Sequence, residues 1–128
     1  MYLRFVIDKI HPYSGRRLGI LHAVRYLRDD GKLLQWEYDR ADEIVGWFNE
    51  YLERPGPFNR SSRPHRLEKA LSWFKDSARH HIDMMREMVA ILESHGIPVT
   101  VLTTDRPGYI TYEDEYQIVA EPFAETPT

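Results

Sequence analysis

Residues 2–9 of this chain place Leu3, Phe5 and Ile7 in alternation with Arg4, Val6 and Asp8. A period of two among β-branched and aromatic residues predicts a strand, which His11-Pro12 and Ser14-Gly15 then end. From Arg17 the period changes. Ile20, Ala23, Val24 and Leu27 recur at helical spacing until Asp30-Gly31 stops the segment. A second helix is predicted over about 33–52, with the apolar stripe Leu34, Ala41, Val45, Phe48 and Leu52, widened by Ile44 and Tyr51. Glu37, Asp39, Arg40, Asp42 and Glu43 fall to its solvent face, and Pro55-Gly56-Pro57 closes it.

Residues 54–69 form a long connection without apolar periodicity. The stretch ALSWF (70–74) reads as a short buried strand rather than the first turn of the next helix, because the N-cap candidates Asp76 and Ser77 come after Lys75. The helix that follows runs to about His95, with Gly96 as its stop. IPVTVLTT (97–104) is dense in β-branched residues and predicts a strand, DRPG (105–108) a turn, and YITYEDEYQIVAEP (109–122) two β-like stretches around Glu113–Glu115, with the last two strands of the order forming a hairpin across DRPG.

The order is β-α-α-β-α-β-β, an α+β fold with a small mixed sheet of about four strands and helices packed mainly on one face. The strand–helix–strand piece at 70–104 predicts parallel strands joined by a right-handed crossover. One domain is expected over 1–122, with 123–128 a loosely ordered tail. The stretches YLRFV (2–6), SWFKDSA (72–78) and YEDEYQIVAEP (112–122) resemble a family of small uncharacterised bacterial proteins with no assigned function. That resemblance implies a bacterial origin and an autonomous fold, and it transfers no catalytic residue.

Composition narrows the chemistry. The chain has 128 residues, 42% of them hydrophobic, which suits one core and not intrinsic disorder. It contains no cysteine, so disulfides, thiolate nucleophiles, cysteine-based zinc sites and iron–sulfur clusters are excluded. The longest uninterrupted apolar run, Met88–Leu92, is far short of a membrane span. With no apolar signal at the start, a cytoplasmic location is expected. The net charge of -3 gives no global reason to expect nucleic acid. Charge is nonetheless segregated: residues 54–69 carry +4, leaving -7 for the rest.

Five places could carry function. Arg16 and Arg17 in SGRR (14–17) precede a helix start, where backbone N–H groups favour a phosphate or carboxylate. Arg60, Arg63 and Arg66 in the basic connection could neutralise a polyanion. His80 and Asp83 are helical neighbours at i, i+3 and could share a metal, but two ligands do not make a site, so Glu113 or Glu115 would have to join them. His81 diverges from His80 by about 100° around the helix and is read as a histidine hydrogen-bonded at the core edge. Glu113 and Glu115, sharing a strand face, are also the one paired-carboxylate candidate for acid–base work. Trp47 and Tyr51 mark an aromatic patch suited to a protein contact. The expectation is a binding or assembly module rather than an enzyme, with a protein partner or a second copy of itself, no cofactor and no membrane. Nucleic-acid or polyanion binding through 54–69 is the alternative, ahead of metal-dependent or acid–base catalysis.

Overall fold

The alternating segment at the start forms the longest strand, β1 (Tyr2–Ile10), and the sheet assembles around it. The computed structural model describes residues 1–12, 15–54 and 70–128. Among these, β1 is followed by β2 (Arg17–Gly19), α1 (Ile20–Asp29), α2 (Gln35–Tyr51), β3 (Leu71–Lys75), α3 (Arg79–Ser94), β4 (Val99–Thr104), β5 (Tyr109–Glu113) and β6 (Gln117–Glu121). The α+β class stands. The sheet has six strands rather than four, and every pairing in it is antiparallel, not mixed.

Along one edge of β1, residues Tyr2–Ile7 pair with Thr104–Val99 of β4. Two strands share the other edge. β3 meets only Tyr2 and Leu3, through Lys75 and Phe74, and then continues the sheet into β6 and β5. β2 meets Val6, Ile7 and Ile10, across a bulge between Ile7 and Ile10. Arg4 and Phe5 therefore lie where β3 has left this edge and β2 has not yet joined it. β3 and β4 do run parallel, as both oppose β1, but β1 lies between them, so α3 connects strands that are not neighbours.

Alternation along β1 sends Leu3, Phe5 and Ile7 to one face, where all three helices meet them through Ile20, Ala23 and Val24, through Ala41, Ile44 and Phe48, and through Ile82, Met85, Met88 and Leu92. The helices thus share one face. On the other face a smaller cluster joins Val6, Leu71, Trp73, Leu102, Ile118 and Ala120. The closing residues come close to the sheet as well: Thr126 is buried, its hydroxyl donates to the Arg106 carbonyl at 3.0 Å, and the Arg17 N–H donates to the Thr128 carbonyl at 3.2 Å.

Several local readings change or sharpen. β2 is too short for any period to show. Residues 109–122 are two strands, because the Asp114 carboxylate accepts from the Tyr116 and Gln117 N–H groups at 2.8 and 3.0 Å and reverses the chain. The hairpin therefore closes over Asp114–Tyr116, and β5 pairs with β6, not across DRPG with β4. Gly108 is needed instead for the crossing: its φ is +130°, and a Cβ there would overlap the Glu121 carbonyl. Glu37, assigned to solvent, is buried in the core stripe of α2, and α3 starts after Ala78 without a side-chain cap from Asp76 or Ser77.

Candidate anion site where the sheet divides

The divergence of β3 from β1 opens a cavity of about 620 Å³. The start of α1 and the end of α2 also border it, and its walls come from both faces of the sheet. On the helix side the lining is apolar, with Ile20, Val45, Phe48, Phe74 and Met85. Among the described residues its charged lining is one-sided: Arg4, Arg17, Arg25 and Arg54 face a single carboxylate residue, Glu53.

Arg4 is the unusual member. Strand alternation puts it on the face of Val6, and flanking strands enclose it until only 9% of it is exposed. Its guanidinium carbon lies 5.6 Å from the centre of the Trp73 ring. Arg4 Nη1 is buried with no hydrogen-bond partner among the described residues, and so is Nε1 of the fully buried Trp73. Burial first, and then repulsion by Arg17 and Arg16, pull the guanidinium down to about 10, which leaves it charged at neutral pH. Taking such a charge out of water costs several kcal/mol, and a desolvated cation–π contact returns about 2 kcal/mol. Two unmet donors and a residual positive charge describe a place that an anion would complete.

The start of α1 adds to this field. Its N-cap is Gly19, which offers no side-chain acceptor, and its first turn holds no acidic residue. The free N–H groups and the positive end of the helix dipole therefore remain available on the cavity wall at Ile20, Leu21 and His22. Partial burial, the neighbouring His11 ring at 5.5 Å and Arg25 hold His22 below the ordinary imidazole range.

The residues singled out from sequence scatter around this centre. Arg17 lines the cavity, and Arg16 is close enough to repel Arg4. Arg60, Arg63 and Arg66 lie outside the described residues. Trp47 is half-buried, its ring 4.7 Å from that of His81 and 5.2 Å from that of the exposed Tyr51. His81 is buried, and its Nε2 donates to the Tyr51 carbonyl at 3.0 Å. His80 and Asp83 are both exposed on α3. Glu113 pairs with Lys75 at 2.6 Å, whereas Glu115 sits in the hairpin turn and shares no strand face with it. Among the described residues, no three His, Asp or Glu side chains gather as metal ligands, and no helix is long and apolar enough to cross a membrane.

Arg4 and Trp73 were missed by the sequence reading. The one signal for Arg4 was an arginine inside a strand whose neighbours on both sides are apolar. No protein family, no characterised protein and no solved structure matches this chain.

Proposed function

We propose that the protein is a binding module, not an enzyme, and that its ligand presents an anionic group to Arg4 in the cavity between β1 and β3. One observation carries this reading: a charged guanidinium, nine-tenths buried, has Nη1 unpartnered among the described residues, and Arg4 lines the cavity. The deepest polar groups there, Arg4 and Trp73, stay protonated at neutral pH, so they hold an anion without giving or taking protons. Isothermal titration with acetate and inorganic phosphate tests the reading, comparing the protein with Arg4→Met. Saturable binding that Arg4→Met weakens tenfold or more supports it; binding unaffected by that change removes it.

A second reading, assembly with a protein partner or a second copy, draws on the start of α2. Leu34 and Trp36 are 59% and 63% exposed there, a more open apolar pair than Trp47 with Tyr51. Light scattering at high protein concentration decides it: a dimer lost in Trp36→Ser supports assembly, and a monomer throughout removes it. A polyanion held by 54–69 would instead reveal itself by affinity for short nucleic acids that falls steeply with salt.

A further inference from the structure

The cavity has two chemically different ends, and this difference identifies the class of ligand. Its lining passes from Arg4 and Trp73, on the face away from the helices, to Phe48, Phe74 and Met85 on the helix side. The pairs Tyr2–Lys75 and Leu3–Phe74 hold β1 to β3 on the near side of this gap, and the pairing with β2 begins at Val6 on the far side. Arg4 and Phe5, which point to opposite faces, both line the gap, so the opening passes between the strands instead of lying on top of them. A simple inorganic ion would satisfy Arg4 and leave the apolar side wet. A neutral hydrocarbon would fill that side and leave the guanidinium uncompensated.

We propose that the site takes an amphipathic carboxylate, its headgroup at Arg4, beside Trp73, and its apolar body between Phe48, Phe74 and Met85. The geometry suits each part. A guanidinium presents a planar pair of donors to a carboxylate, and the fully buried Trp73 ring backs it at 5.6 Å. Arg17 and the start of α1 add positive potential from the flank. A cavity of about 620 Å³ falls within the range that encloses small organic ligands. The inference rests on the anion reading above, but it can fail separately.

The test uses the full chain and three probes: decanoate, acetate and decanol, followed by calorimetry and by the indole N–H resonance of Trp73, assigned with Trp73→Phe. Decanoate is expected to bind at least about a hundredfold more tightly than acetate, since each buried methylene adds to affinity, and to shift the Trp73 resonance. Arg4→Met should weaken decanoate tenfold or more, and Arg17→Ala, at the flank, should weaken it less; the latter variant keeps the test open if the former fails to fold. Equal affinity for decanoate and acetate would overturn the amphiphile inference and leave the anion reading standing. Decanol binding as tightly as decanoate would overturn both, as would no binding by any probe. Decyl phosphate, added as a fourth arm, should bind less tightly than decanoate; the reverse order would replace the carboxylate with a phosphate headgroup.

Discussion

Glu37 and Arg4, two of the charged side chains buried among the described residues, have opposite surroundings. Glu37 on α2 is 1% exposed, yet its carboxylate accepts from the Leu34 N–H at 2.8 Å, from the Ser94 hydroxyl at 3.2 Å and from His95 Nε2 at 2.8 Å. Burial alone would raise its pKa, but these bonds outweigh burial and hold it below the ordinary carboxylate value. Arg4 has an aromatic face, like charges beside it and an unmet donor. The first charge ties the start of α2 to the end of α3 and stiffens the fold. The second is a debt within the fold, and it borders the cavity of about 620 Å³.

The largest effect is expected at the satisfied charge. Glu37→Leu strands the donors of Leu34, Ser94 and His95 and should lower unfolding stability by about 3 kcal/mol, read from urea denaturation. The same carboxylate sets a pH dependence. Because its folded-state pKa is depressed, its contribution is complete at neutral pH and is lost as the pH falls below about 4.5 and through the folded-state value. Glu37→Gln should flatten that part of the stability profile; an unchanged profile would mean Glu37 is not the group responsible.

At the unsatisfied charge the sign reverses. Without ligand, Arg4→Met should raise stability by about 1–3 kcal/mol, because an apolar side chain of similar length replaces an uncompensated ion. A clear fall in the melting temperature would show that Arg4 is held by the fold and is not waiting for a partner.

Asp114 provides a half-buried reference between these extremes. It accepts from two backbone N–H groups, from the Tyr112 hydroxyl at 2.9 Å and from Gln117 Nε2 at 3.1 Å. Asp114→Ala should cost about 1–2 kcal/mol by loosening the hairpin. It should also bring the Tyr112 phenol, pushed up to about 12 by burial and by that carboxylate, back toward its ordinary range in a spectrophotometric titration. Smallest of all, Trp36→Ser on the exposed start of α2 should change monomer stability by no more than about 0.5 kcal/mol in the same urea assay.

Much of the architecture could be read from period alone. The strand at 2–9, the helices over 20–29 and 35–51, and the strand reading of 70–74 all rest on patterns of several residues, and the structure follows each closely. What escaped was set by single side chains or by distant pairing. Glu37 looks like any first-turn carboxylate until Ser94 and His95 arrive beside it from far along the chain. The reversal at Asp114 depends on one carboxylate in an acidic run, which the same residues spread along a strand would match equally well. The candidate site was half legible: a basic segment before a helix start pointed to Arg16 and Arg17. Arg4 and Trp73 could not be joined to them, because only the sharing of one β1 edge by β2 and β3 brings the two together.

That shared strand also shapes how the chain can fold. β1 has its most extensive pairing with β4, whose first residue, Val99, follows Ile10 only after α1, α2, β3 and α3 have been made. During synthesis at typical rates the gap between them takes roughly 5–20 s to fill. For that interval Leu3, Phe5, Val6 and Ile7 wait without their main partner, while α1, α2 and then α3 can form from neighbouring residues. Closure of the sheet is thus a late, non-local event, of the kind that slows folding and leaves an apolar strand open to chaperones or to a neighbouring chain.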